Sequence, residues 1–420
     1  MKKNVITIVE SFVYQRIIGG IFDMLNQHVF NDRLPVAPLK IAALESCTDL
    51  ATKVNNHIVN FRRNDTEELL RRQQNLQYRG YDVDSYLLNI SCPRFGSGEA
   101  KGVVNESVRG TDVFVMADVT NHSLTYKMAG YMNHMSPDDH YQDLKRVIAA
   151  CATTAHRINV IMPFLYESRQ HKRSHRESLD CAMALEELVN MGVSNIITFD
   201  AHDPRVQNAI PLSGFDNFMP TYQFIKALFK HDNTLQIDKD HLMVISPDEG
   251  AMGRAVYLAN NLGVDMGMFY KRRDYSKVVN GRNPIVAHEF LGSSVEGKTV
   301  IIVDDMIASG ESMLDTAKSL KERKAAKVVV CCTFGLFTNG LEKFDEFYAK
   351  GYIDSVVTTN LNYRAPELLT RDWYVEADVS KFIAAIINSL NHDVSLENAL
   401  TSTEKIQSLI KRYNDREIIL

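Results

Sequence analysis

The sequence predicts an α/β protein made of two tandem domains, each a mostly parallel sheet flanked by helices. Three observations carry this. Short unbroken apolar runs such as Val300–Val303 fit strands buried on both faces of a parallel sheet. Such runs are followed by a small-residue or charged turn and then by apolar residues at helical spacing. The units divide into two βα-rich halves of similar size, and 420 residues suffice for two cores.

Composition sets bounds. A hydrophobic content of 45% with 24% charged residues is ordinary for a soluble globular chain. The net charge of −5 argues against a general nucleic-acid or acidic-membrane binder. Any anionic substrate must then be met by local basic clusters. The six cysteines lack metal-type spacing and read as reduced thiols of a cytoplasmic protein. No apolar run approaches the roughly 18 residues of a membrane span, and Glu10, Gln15 and Arg16 interrupt the first apolar stretch, which argues against a signal peptide.

In chain order, residues 5–30 carry helix-like spacing and read as a packing helix closed by Pro35 and Pro38. Leu39–Leu44 reads as a strand and Asp49–Val59 as a helix, and the charged stretch 65–84 as a solvated insertion. Cys92–Glu99 and Val103–Asp112 suggest a hairpin, with the strand Val113–Met116 after it. Within it, Phe95 between turn residues is a candidate stacking platform. Residues 119–143 read as an irregular excursion; His122, His134 and His140 there fit no metal-ligand spacing.

Leu144–Ala155 reads as a helix and Asn159–Met162 as a strand. After it, Arg169, Lys172, Arg173 and Arg176 place four cations within eight residues, where open α/β sheets bind anions. Ser178–Met191 reads as a helix, and the strand Asn195–Phe199 ends in Asp200 and His202, a pair able to hold a hydrated magnesium or orient a phosphate. A helix over Thr221–Lys230 follows, where the domains change over.

Leu242–Ile245 opens the second half and leads into Ser246–Arg254, whose turn amides suit a pyrophosphate. Met266–Phe269 is followed by three adjacent cations, Lys271 to Arg273, which repel one another unless an anion sits among them. Gly292–Thr299 matches the P-loop letters G-x4-G-K-T, but it precedes a strand instead of following one, so we set it aside.

The stretch Lys298–Lys324 is the densest. A strand, Val300–Val303, ends on Asp304 and Asp305; the loop Ala308–Ser312 follows, and Met313, Leu314, Ala317 and Leu320 mark a helix. Turn and helix N-terminus present amides to a phosphate, with Ser309 and Ser312 as further donors. The carboxylates suit vicinal sugar hydroxyls or magnesium. Phosphate and diol together describe a ribose 5-phosphate. Further strands read over Val328–Thr333 and Ile353–Thr358, then an amphipathic helix over Asp378–Leu390 and a polar tail with one more possible helix.

This last motif resembles the phosphoribosyl-binding signature of the type I phosphoribosyltransferase superfamily. From about Leu39 to Ser395 the chain resembles the ribose-phosphate pyrophosphokinase (phosphoribosyl pyrophosphate synthetase) family, through RFGSGE, ESRQHK, FDAH, ISPDEGAMGR, YKRR and VIIVDDMIASGES in that order. The resemblance implies two phosphoribosyltransferase-like domains, residues 39–220 on the ATP side (insertions near 65–84 and 119–140) and 221–395 with the ribose 5-phosphate site. A 1–38 extension and a 396–420 tail flank them. It implies transfer of a diphosphoryl group from Mg·ATP to ribose 5-phosphate, and a homo-oligomer in which the adenine loop reaches a neighbouring subunit's site.

Residue by residue, it implies Lys271 and Arg273 as catalytic, Arg169 and Gln170 as ATP-binding, and Phe95, Ser97 and Glu99 as the adenine loop. His202 and Asp248 would hold Mg²⁺, Asp304 and Asp305 the ribose hydroxyls, and Ser309, Gly310 and Ser312 the 5-phosphate. Four positions depart from the family's pattern: Ser97, Ala251, Ala308 and Glu311, the last a carboxylate that must turn outward from a phosphate loop. Two other readings share these residues. One is a phosphoribosyltransferase with a base or amine acceptor; the other is a non-catalytic homologue that assembles with an active synthetase, against which the retained Lys271, Arg273 and His202 argue.

Overall fold

The computed structural model describes residues 34–71, 78–273, 285–397 and 402–416. The expected helix at 5–30 and part of the 65–84 insertion lie outside the described residues. Apolar runs become the strands of two sheets. The first has the order β1 (Leu39–Ala43), β4 (Asp112–Met116), β7 (Arg157–Ile161), β8 (Asn195–Phe199), β9 (Gly214–Phe218), all parallel, while β2 (Ile90–Ser91) and β3 (Val103–Val104) form a separate antiparallel pair. The second has the order β12 (Ile285–Leu291), β11 (Asp265–Arg273), β10 (Leu242–Ser246), β13 (Thr299–Ile307), β14 (Lys327–Gly335), β15 (Ser355–Thr359), β16 (Tyr374–Ala377), parallel except for β11 with β12. The expected α/β class of tandem parallel sheets stands.

Helices cover both faces. In the first half these are α1 (Thr48–Arg71), α2 (Pro137–Ala152) and α3 (Asp180–Asn190); in the second, α4 (Thr221–His231), α5 (Met252–Leu262), α6 (Glu311–Glu322) and α7 (Glu342–Ala349). The central strands are buried on both sides, as with Val113–Met116 and Leu242–Ser246, which is why they read as continuous apolar runs. One core cluster fills each face of the second sheet. The final helix, α9 (Thr403–Asn414), buries Ile406 and Leu409 against α4 and α5.

Three segments differ from the sequence reading. The second-half strands run further than their apolar cores: β13 passes through both acids to Ile307, and β11 includes Lys271–Arg273. Ladder pairing to a neighbouring strand, not hydrophobicity, extends them. The supposed excursion 119–143 contains a hairpin, β5 (Thr125–Met128) with β6 (Tyr131–His134), and the first turn of α2. There Ser136 and Asp139 form a reciprocal capping box, with Pro137 at the first helical position.

Helix α8 (Ser380–Asn391) belongs by sequence range to the second domain, yet it packs in the first domain's core through Phe382, Ile383, Ile386 and Ile387. It lies against α1. The fully buried Arg62 of α1 donates to Asn388 (3.1 Å) and Asn391 (2.6 Å) while its guanidinium lies 4.7 and 4.8 Å from the ring centres of Tyr81 and Tyr86. Neutral amide acceptors and ring faces thus replace water around a buried cation.

Where α4 meets this region, Lys226 is half-buried. Burial, then the like charges of Lys230, Lys381 and Arg412, push its ammonium down from 10.5 to about 8. A lysine bound more weakly to its proton in the folded chain destabilises the fold while charged. The cost is fully present below about pH 8 and fades as pH rises towards 10.5. We expect Lys226→Met to raise the melting temperature at pH 7 and to do so less at pH 10; calorimetry showing a lowered value at pH 7 would contradict this.

Candidate active site

Four loops at the carboxyl ends of the parallel strands β7, β8, β10 and β13 carry most of the expected residues, the position where open α/β sheets bind ligands. The two sheets turn these ends towards each other. Across that junction His202 Nδ1 lies 2.6 Å from Asp305 Oδ2, joining residues 103 positions apart in sequence. Beside them Arg254 Nε donates to Asp200 Oδ1 at 2.6 Å and its Nη2 lies 3.8 Å from Asp305 Oδ2. Thr333 Oγ1 donates to the other oxygen of Asp200, also at 2.6 Å.

The electrostatics divide the carboxylates. Burial works against ionisation of Asp305, but the His202 hydrogen bond and the Arg254 guanidinium outweigh it and hold its carboxyl below the usual range. Asp304 is held well above the usual range by burial and by the neighbouring Asp305 charge, and it accepts the Asp305 N–H at 2.9 Å. Burial also raises Asp200 despite its Arg254 partner. One ionised acid and one reluctant acid therefore stand side by side on β13.

After β13 the chain turns at Gly310, whose φ of 80° is left-handed, and a methyl there would lie 2.5 Å from the Phe344 ring. Glycine is required at that point. It opens α6, whose first-turn amides at Glu311 and Ser312 lie outside the helix's own ladder, a setting for an anion. Ser309 is half-buried at the same turn. Glu311 turns outward to Lys343, 2.8 Å away.

At the other β-strand ends, Asp248 Oδ1 accepts from the amides of Gly250 (3.0 Å) and Ala251 (3.3 Å). The turn expected to cradle a pyrophosphate thus has two of its donors occupied by its own carboxylate, a correction to the sequence reading. Asp248 nevertheless acts on Asp304 through its charge. The basic loop after β7 reaches the cluster through His171, whose Nε2 is 3.4 Å from Asp203 Oδ2 and whose ring centre is 5.4 Å from that of His202. Within it Arg169, Lys172, Arg173 and Arg176 are exposed and make no ion pair among the described residues, whereas the Gln170 side chain donates to Ser178 O at 2.8 Å.

One expected group stands apart. Phe95, Ser97 and Glu99 sit on a loop beside α2, and among the described residues no hydrogen bond or ring contact joins it to the His202–Asp305 cluster. Lys271 pairs through its backbone with His288 in the β11–β12 ladder; the Lys271 and Arg273 side chains lie outside the described residues. Of the histidine trio set aside earlier, His140 is buried against Asn121 O at 2.7 Å and His134 lies 2.8 Å from His122 O. Sequence reading gave no role to His171, Thr333 or Arg254, and it paired Asp200 with His202 where the structure engages Asp200 with Arg254 and Thr333. Arg254 ends the ISPDEGAMGR segment and His171 lies within ESRQHK, the linear signals that could have marked them, whereas Thr333 has none.

The paired sheets and the strand–acid–turn–helix unit define a tandem phosphoribosyltransferase-like protein. Residues 39–192 match the N-terminal domain of ribose phosphate pyrophosphokinase and residues 222–368 the phosphoribosyl transferase domain. The chain belongs to the ribose-phosphate pyrophosphokinase family. A ribose-phosphate pyrophosphokinase of Ralstonia nicotianae is 30% identical over 272 residues, covering 64% of this chain and 76% of that protein. One from Pasteurella multocida is 27% identical over 347 residues, covering 81% and 98%. The fold is that of the phosphoribosylpyrophosphate synthetase from Mycobacterium smegmatis, with a TM-score of 0.63 and 21% identity over 84% of this chain and 99% of that one.

Removing the Arg254 guanidinium leaves two buried carboxylates facing each other. Arg254→Ala is expected to lower the unfolding free energy by about 3 kcal/mol, read by urea denaturation, with Arg254→Lys restoring only part because a single ammonium cannot span both acids. Wild-type stability in the alanine variant would remove Arg254 from its place at this junction.

Proposed function

We propose that the chain transfers the β,γ-diphosphoryl group of Mg·ATP to the anomeric hydroxyl of ribose 5-phosphate, giving AMP and 5-phosphoribosyl 1-pyrophosphate. The observation that carries this reading is the His202–Asp305 contact at 2.6 Å, which sets the first-domain loops of the ATP side against the sugar-phosphate loop of the second. A phosphoribosyltransferase would need only the second of these. Diphosphoryl transfer asks little covalent chemistry of the protein and much alignment and charge neutralisation.

In this reading Ser309, Gly310 and Ser312 hold the 5-phosphate, and Asp304 and Asp305 the ribose hydroxyls. Arg169 and Gln170 steady the nucleotide phosphates; Phe95, Ser97 and Glu99 receive the adenine. Lys271 and Arg273 meet the charge that develops on the transferred group. His202 and Asp248 fit a magnesium ion that arrives on a polyphosphate, since such an ion keeps waters and takes only one or two protein donors. Asp305 occupies His202 Nδ1, which leaves Nε2 as the ligand atom, and Asp248 adds a carboxylate at the end of β10. When bound, the ion neutralises phosphate charge.

The isolation of the Phe95 loop from the cluster supports a homo-oligomer in which this loop serves a neighbouring copy. Among the described residues no helix is long and apolar enough to cross a membrane, and the six cysteines stand as thiols, in keeping with a cytoplasmic enzyme.

Incubation with Mg·ATP and ribose 5-phosphate is expected to release AMP; pyrophosphate release from phosphoribosyl pyrophosphate and a nucleobase, without AMP formation from ATP, would overturn the reading. Lys271→Ala is expected to lower kcat by about 10³-fold or more while leaving the ATP KM nearly unchanged. A loss confined to KM would remove Lys271 from the transition state.

A further inference from the structure

The hairpin β5–β6 lies outside the family's usual pattern, and it is built onto the Phe95–Glu99 loop. Three contacts join them. The Ala129 N–H, in the hairpin turn, donates to Gly96 O at 3.0 Å. Gly98 has φ 93° and lies so close to Met128 that a methyl on it would meet the sulfur at 2.6 Å. The Arg94 guanidinium lies over the Tyr126 ring at 4.7 Å, and the same Arg94 is anchored to Asp143 at 2.8 Å. Tyr126 Oη in turn reaches Asp139 at 3.4 Å, tying the hairpin to the capped start of α2.

The loop is also closed on itself. Phe95 N–H donates to Glu99 O at 2.7 Å, Gly98 N–H to Phe95 O at 2.9 Å, and Ser97 Oγ to Glu99 Oε2 at 2.9 Å. Its shape is therefore set from inside by a short turn and from outside by the hairpin, while Phe95 remains 53% exposed with its ring available. The hairpin turn uses left-handed backbone at Ala129 (φ 49°) and Gly130 (φ 90°), the twist that suits a tight two-residue connection. Loop rigidity matters energetically because any freedom left in a recognition loop must be lost when the base binds.

We propose that the β5–β6 hairpin is a positioning element for base recognition, holding the Phe95–Glu99 loop in its binding shape so that nucleotide affinity depends on Tyr126 and Met128. The inference rests on the reading of that loop as the adenine site. It deepens that reading by naming residues that act on the base only through the loop. The Ser97 hydroxyl orients Glu99, and the hairpin fixes the backbone that carries both.

The test compares the full-length wild type with Tyr126→Ala/Met128→Ala and with Phe95→Ala. The double variant is expected to raise the KM for ATP about tenfold, with kcat and the KM for ribose 5-phosphate within about twofold of wild type. Amide exchange of Phe95 and Gly98 should accelerate in parallel, and a Met128→Leu variant should restore most of the affinity lost in Met128→Ala. If Phe95→Ala raises the ATP KM and the double variant does not, the hairpin proposal fails while the adenine-loop reading stands. If Phe95→Ala leaves the ATP KM unchanged, that reading fails and the hairpin proposal with it. A double variant that loses kcat and both KM values together would make the hairpin a mere stability element and also overturn the proposal.

Discussion

Asp305 depends on two groups brought from elsewhere in the chain, His202 and Arg254, and the junction between the two sheets is organised around that dependence. A buried carboxylate is tolerated when donors surround it. Here the donors come from a β8 loop of one domain and from α5 of the other, so the charge is satisfied only when the sheets face each other. Asp200 repeats the arrangement in mirror form, a first-domain acid satisfied by Arg254 and Thr333 of the second domain. The two acids share Arg254. Neither domain can complete its own electrostatics alone.

The same geometry accounts for where chemistry is placed. Burial and the charge kept on Asp305 raise the threshold for ionising Asp304, so the two adjacent acids differ in how readily they ionise. On the far side of the junction, the cations of the basic loop stay exposed while the nearby Asp203 is engaged by Arg205. An acidic protein thereby keeps a locally basic mouth for anionic ligands.

Much of this was legible in the linear chain. Asn195–Phe199 matches its strand, and Leu242–Ile245 falls one residue short, because central parallel strands are apolar on both faces. The edge strands Gly214–Phe218 and Tyr374–Ala377 escaped: all their residues but Phe218 and Ala377 are only partly buried, so neither a continuous nor an alternating pattern forms. The hairpin at 125–134 escaped because its turn uses Ala129 in a left-handed conformation where Asn or Asp would have given a signal. Acid pair, small-residue turn and His202 could be read as types of chemistry, whereas the His202–Asp305 contact and the role of Arg254 exist only through the topology.

The return of Ser380–Asn391 into the first core has an implication for how the chain is made. During synthesis the first sheet emerges long before the helix that seals it, and the intervening second domain must be spelled out first. The nascent first domain therefore waits with an apolar groove along α1 uncovered, a state in which chains stick to one another. Closure of that groove links residues more than 300 positions apart, as the Arg62–Asn391 bond shows, and such distant contacts form slowly. The first core is thus completed only by residues that are made after the second sheet.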